Sequence, residues 1–334
     1  MSPSHARLQI ALVGAGAMGS LHARVVTQSQ DADLACIVDP HVESGELLAE
    51  RYRTRWRPEV DTLDPFDAVI VATPTHTHVE WGLRVIEAGK PLLVEKPLSE
   101  DLAETTRLVE AARRHGVPLM CGLLERYNPA VMTAMEIIEE PVHVTSVRHS
   151  PYAPRIVTGV AHDLLIHDVD LTLRMAGQDP SEIKAHFAYC HPKSELGAED
   201  VAEVMLEFRS GLLASLSASR VSQRKVRNLV VAELERLVEI DLLRNDLTVY
   251  RHVGNAALDD SGPGYRQQTI IDIPTIQPAR EPLATQLDRF VAVARDEADF
   301  REELDTLVGP HFVVTEAIRL SSGSPEWSER RHDA

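Results

Sequence analysis

Gly14-Ala15-Gly16-Ala17-Met18-Gly19 follows the apolar run Leu8–Val13 and opens a helical pattern over Met18–Gln28. A GxGxxG between a strand and a helix has a physical purpose at each glycine. Gly14 permits the tight turn, Gly16 lets a pyrophosphate approach the backbone, and Gly19 lets the helix pack close to the sheet. Ala17 and Met18 lie in the helix's first turn, where free amides and the helix dipole favour an anion. Asp39 ends the next strand-like run, Leu34–Val38, 20 residues after Gly19. A carboxylate at that place accepts hydrogen bonds from an adenosine ribose. Without a bound dinucleotide, the same residues would make an ordinary tight strand–helix turn and a strand-end aspartate.

Outward from this turn, strands and helices alternate. Ser44–Tyr52, His78–Ala88 and Asp101–His115 read as helices, with Ser99 at the N-cap position of the last. Ala68–Ala72, Pro91–Glu95 and Pro118–Leu124 read as strands. This alternation predicts a parallel sheet covered by helices on both faces. Beyond residue 124 the pattern changes. Asn128–Glu140 and Asp163–Ala176 are helical, and six strands then follow closely: Glu182–Cys190, Val201–Phe208, Leu212–Val221, Val226–Glu233, Leu237–Leu243 and Leu247–His252. Ser210-Gly211 is a hairpin turn, and the glycine-rich stretch Gly254–Gly264 reads as a mobile surface loop. Two closing helices are expected near Pro282–Arg295 and Pro310–Leu320, before a polar, frayed tail over Ser321–Ala334. The fold class is α/β: a Rossmann dinucleotide-binding domain over 1–124, then an α+β domain on a large, open, mostly antiparallel sheet over 125–334.

Composition narrows the function. The 334 residues carry 34 Lys and Arg against 51 Asp and Glu, a formal charge of −17. Such a surface repels phosphate backbones, so nucleic acid is not an expected partner. No run of 18 or more apolar residues is present, so no membrane partner is expected either. Cys36, Cys121 and Cys190 lack metal or disulfide spacing, and the first residues lack a signal core. Both features are those of a cytoplasmic protein with reduced thiols.

Four further groups stand out. Thr73-Pro74-Thr75-His76-Thr77-His78 follows a strand's carboxyl end, where open α/β sheets bind ligands; it also reads as an N-cap through Thr75 or Thr77. Glu95-Lys96-Pro97 ends the Pro91–Val94 strand. Lys96 there is either a proton carrier with a lowered pKa or a solvated partner of Glu95. Asp163, His167 and Asp170 span about 60° of an ideal helix and so share one face. A helix cap with satisfied core polar groups is one alternative for them, and a metal site is another, though spacing offers no third or fourth ligand. Arg220, Arg224, Lys225 and Arg227 form a basic cluster, read either as a solvated strand edge or as a site for an anionic substrate.

Together these residues resemble the glucose-fructose oxidoreductase / inositol dehydrogenase (Gfo/Idh/MocA) family over nearly the whole chain. The resemblance rests on the glycine turn with His22, on Ala72-Thr73-Pro74 with His78, and on Ala88-Gly89-Lys90 leading into Glu95-Lys96-Pro97. Arg126-Tyr127-Asn128-Pro129 and the Asp163, His167, Asp170 stripe complete it. It implies hydride transfer between NAD and a carbon bearing a hydroxyl, on a sugar, sugar nucleotide or cyclitol. Lys96 and His167 are the implied acid/base pair, with Asp163 orienting substrate or His167. Tyr127 and Asn128 are implied to face the substrate. Gly14, Gly16, Ala17, Met18, Gly19, Asp39, Thr73, Pro74, His78, Glu95 and Lys96 are implied to contact cofactor. The family resemblance also implies a cis Lys96–Pro97 peptide and a homo-oligomer, dimeric or tetrameric. A catalytically inactive dinucleotide-sensing regulator is the alternative; such a protein is expected to lose the lysine or the histidine, and both are present. NAD is expected over NADP, because a 2′-phosphate would meet the Asp39 carboxylate. No lysine or arginine follows Asp39 until Arg51, leaving Arg53 or Arg55 as the basic groups that could fold in.

Overall fold

A computed structural model of the chain describes residues 6–153, 158–194, 197–259, 262–276 and 280–321. The chain divides into two compact units, residues 1–127 with 280–315, and residues 128–279 with 316–334. The division is discontinuous, where a single break after residue 124 was expected.

The first unit holds β1 (Leu8–Val13), α1 (Ala17–Gln28), β2 (Ala32–Val38), α2 (Val42–Tyr52), β3 (Arg55–Arg57) and β4 (Ala68–Val71). It continues with α3 (His78–Glu87), β5 (Leu92–Val94), α4 (Leu102–His115) and β6 (Leu119–Cys121). The six strands are all parallel in the order β3-β2-β1-β4-β5-β6. That is the doubly wound order, with its switch point between β1 and β4. β1, β4 and β5 are buried along almost their whole length, as a sheet covered on both faces requires. The short β3 was not anticipated. Asp101, not Ser99, caps α4: its carboxylate accepts from the Ala103 and Glu104 amides, and the Ser99 hydroxyl accepts from the Asp101 amide instead.

Helix α7 (Pro282–Ala294), expected in the second domain, belongs to this first unit. Leu283, Leu287, Phe290 and Val291 enter the same buried cluster as Ile10, Leu12, Ile37 and Ile70. The Gln286 amide donates to the Cys121 carbonyl at 3.3 Å. Burying an apolar helix face is worth roughly 1.5–3 kcal/mol per large side chain, so the chain returns to the sheet whose face is still open.

The second unit contains α5 (Pro129–Ile137), β7 (His143–His149) and α6 (Ile166–Ala176). Then come β8 (Glu182–Ala188), β9 (Val201–Glu207), β10 (Leu213–Ser219), β11 (Val226–Ala232), β12 (Leu237–Asp241), β13 (Asp246–Asp259) and β14 (Gly262–Asp272). These eight strands form one sheet, β14-β13-β12-β11-β7-β10-β9-β8, antiparallel except at β7–β10. β9 shows the expected alternation: Ala202, Val204 and Leu206 are buried, Glu203 and Met205 exposed. Helix α5 packs against β12 and β13, and α6 against β7 and β10.

Two expectations fail in this unit. Gly254–Gly264 is not a loop; β13 and β14 pair through it, from Val249 opposite Asp272 to Asp259 opposite Gly262. Backbone pairing along a hairpin needs no apolar side chains, so composition alone misled; residues 260 and 261 at its tip lie outside the described residues. The central strand β7 was not foreseen at all. Beyond α8 (Arg301–Leu304), α9 (Val308–Ser321) ends the described chain; the tail from 322 lies outside it. Among the described residues, no helix is long and apolar enough to cross a membrane.

Candidate active site

The glycine turn is built by contacts that only glycine allows. Gly14 has φ +102°, and a Cβ on it would sit 2.4 Å from the Ala72 carbonyl oxygen at the end of β4. A Cβ on Gly19 would sit 2.0 Å from the Gly14 carbonyl oxygen. A Cβ on Gly16 would meet nothing within 4 Å. Gly16 is also the N-cap of α1, and no side chain caps that helix. Gly16 and Ala17 are exposed and Met18 is half-buried. The first-turn amides therefore face an open space at the carboxyl end of β1, which fits the pyrophosphate of a dinucleotide.

Asp39 lies at the end of β2, where the ribose site was expected, and is 8% exposed. One carboxylate oxygen accepts from the Ala15 amide at 2.7 Å; the other accepts from the His41 amide at 2.8 Å and lies 3.1 Å from His41 Nδ1. Its backbone is pinned by β3: the Asp39 amide donates to the Arg57 carbonyl at 3.1 Å, and the Trp56 indole donates to the Asp39 carbonyl at 3.0 Å. Trp56 fits because Gly45 has no side chain, a Cβ there falling 2.1 Å from Nε1. Arg57 stands opposite Val38 in the ladder, a nearby basic residue that the reading of Arg53 and Arg55 passed over.

The loops after β4 and β5 meet through a buried histidine. Thr73 is half-buried and Pro74 exposed. The Thr77 hydroxyl lies 2.7 Å from that of Thr73 and 2.9 Å from the Pro74 carbonyl, and it does not cap α3. His78 is 1% exposed, with Nδ1 at 2.8 Å from the Pro97 carbonyl and Nε2 at 2.8 Å from the Thr73 carbonyl. Burial lowers the His78 pKa, against the two carbonyls and the Glu95 charge, which raise it. His78 is thus part of the framework under the site, not an exposed cofactor contact. Glu95 is also buried, with one oxygen 2.7 Å from His22 Nε2 and the other accepting from the Lys96 amide at 3.4 Å. Its carboxylate is turned toward α1. Lys96 is half-buried, and the Lys96–Pro97 peptide is cis, as expected.

In the second unit, Asp163 and His167 flank a change of helix type. Ala161–Leu165 is a π turn that runs into α6 at Ile166. A π turn adds a residue to the repeat and alters which side chains align, so ideal α spacing does not hold across it. Asp163 and His167 are half-buried, whereas Asp170 is 1% exposed. The three therefore do not form one accessible stripe. Asp168, next to His167, holds the buried charge: Arg148 of β7 donates to it with Nε at 2.7 Å and Nη2 at 3.0 Å. Glu199 carries the entry to the turn, one oxygen accepting from the Ala161 amide at 2.8 Å. A Cβ on Gly159 would fall 2.1 Å from the other.

The remaining expectations divide. Arg220 is 5% exposed and bound to Asp200 at 2.9 Å, to the Thr158 carbonyl at 2.9 Å and to the Ala198 carbonyl at 2.5 Å. It is a structural node, while Arg224 and Lys225 are exposed and Arg227 half-buried. Asn128 caps α5, accepting from Ala130 at 3.0 Å and donating to the Leu242 carbonyl at 3.2 Å. Tyr127 lies in the buried cluster of the first unit. Both have contacts in the framework of their own unit. Cys36 and Cys121 are buried thiols, and Cys190 is exposed.

Residues 8–123 match the "Oxidoreductase family, NAD-binding Rossmann fold", and residues 138–236 match the "GFO/IDH/MocA C-terminal domain". The UDP-N-acetylglucosamine 3-dehydrogenase of Acidithiobacillus ferrooxidans is 29% identical over 287 residues, covering 85% of this chain and 88% of that protein. Its solved structure aligns with a TM-score of 0.80 at 26% identity, over 95% of this chain and 97% of that one. The inositol 2-dehydrogenase of Rhizobium meliloti is 28% identical over 72% of this chain and 79% of its own length. The structure of GenD2 from gentamicin A biosynthesis in complex with NAD aligns with a TM-score of 0.78 at 26% identity, covering 96% of each chain.

Proposed function

This chain belongs to the Gfo/Idh/MocA family of oxidoreductases, with an NAD-binding Rossmann domain, and from that premise we propose that it moves a hydride between NAD and a secondary alcohol of a sugar, sugar nucleotide or cyclitol. The observation that carries this reading is the open space at Gly16, at the switch point of a doubly wound parallel sheet. The names of the similar proteins specify a sugar nucleotide and a cyclitol, in line with that substrate class. A dinucleotide sensor would need neither Lys96 nor His167.

When bound, NAD takes up the hydride from the alcohol carbon. The protein's part is to hold the dinucleotide at the glycine turn, to orient the alcohol, and to receive the hydroxyl proton. Lys96 Nζ and a ring nitrogen of His167 act as the pair that receives it, with Asp163 orienting His167 or the substrate. A base whose pKa lies near the working pH suits that task.

The test is Lys96→Ala assayed by nicotinamide absorbance over a panel of inositols, sugars and UDP-sugars. General acid–base groups contribute about 10²–10⁴-fold, so kcat should fall by that range with NAD affinity kept within a few-fold. A folded variant with near-normal kcat ends the assignment.

Asp39 also bears on cofactor choice. Its carboxylate lies at the end of β2, and unit charges ~4 Å apart repel by about 1 kcal/mol in water and about 4 at an effective dielectric near 20. NAD is accordingly preferred to NADP, and the ratio of kcat/KM for the two cofactors should narrow in Asp39→Ser. A higher kcat/KM for NADP in the unaltered enzyme contradicts this, with Arg57 as the residue to examine. The protein is further proposed to be a homo-oligomer, measurable by light scattering.

A further inference from the structure

Lys96 sits on a loop held by three buried histidines. His22, His78 and His311 are each 1% exposed. His22 engages the Glu95 carboxylate at 2.7 Å, His78 approaches the Pro97 carbonyl at 2.8 Å, and His311 Nε2 accepts from the Leu98 amide at 3.0 Å. His311 Nδ1 in turn lies 2.7 Å from the Leu307 carbonyl, which sets its tautomer. Buried polar rings are costly unless satisfied. All three direct a ring nitrogen to residues 95, 97 and 98, the immediate neighbours of one lysine. A core needing only volume would use leucine or phenylalanine at such places.

We propose that this histidine frame positions Lys96, with His78 as the decisive member. His78 differs from the other two in lying between two strand-end loops, with its second nitrogen 2.8 Å from the Thr73 carbonyl. Both partners are acceptors. A neutral imidazole has one N–H to offer, and the proposal assigns it to Nδ1 and the Pro97 carbonyl. That bond fixes the Pro97–Leu98 peptide, and through Pro97, the residue bonded to Lys96, the direction in which the lysine side chain leaves the loop. The inference rests on the reading of Lys96 as a proton carrier for its catalytic consequence, but the positioning itself can be measured on the protein without cofactor.

Two substitutions separate the two contacts. In His78→Asn the side-chain amide nitrogen can stand where Nδ1 stood, keeping the bond to Pro97. In His78→Gln it can stand where Nε2 stood, donating to the Thr73 carbonyl and no longer to Pro97. The first readout is the rate of amine acylation at Lys96, measured by peptide mass spectrometry against exposed Lys225 in the same molecule. His78→Gln should change the Lys96 labelling rate several-fold, because the accessibility and neighbours of the amine change with its direction, and His78→Asn should restore it. The second readout is kcat. Misplacement of a reacting group by about 1 Å can cost about 10²-fold, so His78→Gln should lose about tenfold to a hundredfold, with NAD affinity within a few-fold. His78→Asn should stay near the unaltered enzyme.

Equal Lys96 labelling in both folded variants and the unaltered protein overturns the proposal. So does an equal change in both, because loss of stability alone would produce it. If the glutamine variant does not fold, the asparagine variant alone decides: altered Lys96 labelling in it is fatal. If Lys96→Ala keeps full turnover while the labelling follows the expected order, the catalytic reading of Lys96 fails and the positioning stands.

Discussion

The glycine turn of the first unit and the α6 entrance of the second solve one problem by opposite means. Each must present backbone or side-chain groups at the end of a regular element. The turn does so by removing side chains: Gly14 and Gly19 admit backbone contacts that any Cβ would block. The α6 entrance does so with buried charge. Arg148 reaches from β7 to Asp168 beside His167, and Glu199 reaches from the approach to β9 to the Ala161 amide. The first device is local and depends on steric exclusion. The second joins residues 20 and 38 positions apart and depends on pairing groups that would otherwise be very costly to bury. A site made of glycines tolerates almost no addition, and a site made of buried ions tolerates no half-removal.

The sharpest test of that contrast is Arg148→Ala. Asp168 would be left buried without its fork of donors, and removing one partner of a buried pair costs about 3–5 kcal/mol. Denaturant unfolding should show that loss, and Arg148→Met with Asp168→Leu together should recover much of it. A loss below about 1 kcal/mol would place the pair among exposed ion pairs and erase the contrast.

Next in size come the glycines. Gly19→Ala places a methyl 2.0 Å from a backbone oxygen, an overpacking that costs about 1–3 kcal/mol. Gly16→Ala adds its methyl to open space and should leave stability within about 0.5 kcal/mol while weakening NAD binding. Calorimetry of the two variants with and without NAD separates them. Equal loss of stability in both would mean that Gly16 shapes the turn and not the ligand space.

The smallest expected effect concerns pH. Burial works to raise the Asp200 pKa, but Ser194, the amides of His191 and Cys190, and Arg220 outweigh it and hold the carboxyl below its ordinary value. A group whose folded pKa is depressed contributes stability above its unfolded pKa of about 3.9. That contribution is lost as pH falls through the folded pKa. The Ser194 hydroxyl donates to Asp200 at 2.5 Å, so Ser194→Ala should cost about 1 kcal/mol near neutral pH. The gap between variant and unaltered protein should close below about pH 4. A gap that persists unchanged at low pH would detach Asp200 from the acid response.

The same contrast explains what could be read in advance. Leu8–Val13, the glycine turn and Asp39 were legible because each signal is carried by neighbours in sequence. β7 was not, because its core-facing positions include Ser146 and Arg148, both 1% exposed. Those are polar letters in an inward row, and only the distant Asp168 makes Arg148 acceptable there. The stripe Asp163, His167, Asp170 drew attention at ideal helical spacing. It passed over Asp168, and the π turn that separates Asp163 from α6 left no mark in the pattern. The resemblance points Asn128 toward substrate, and the local charge pattern leaves Arg220 open between a strand edge and an anion site, because their partners, the Leu242 carbonyl and Asp200, lie outside the local pattern.

By itself, the sequence determined the doubly wound parallel sheet, the dinucleotide turn at Gly14–Gly19 and the antiparallel character of the second half. It also marked Lys96 and His167 as the residues of interest. These follow from chain stereochemistry and from apolar periodicity, which act over a few residues at a time. Tertiary structure alone decided that α7 returns to the first unit's sheet, that β7 occupies the centre of the second, and that His22, His78 and His311 converge on the loop of Lys96. His311 lies 213 positions from Leu98, whose amide it accepts. Such a pairing is selected by which buried donor lacks a partner once the chain has closed, and no local pattern encodes that need.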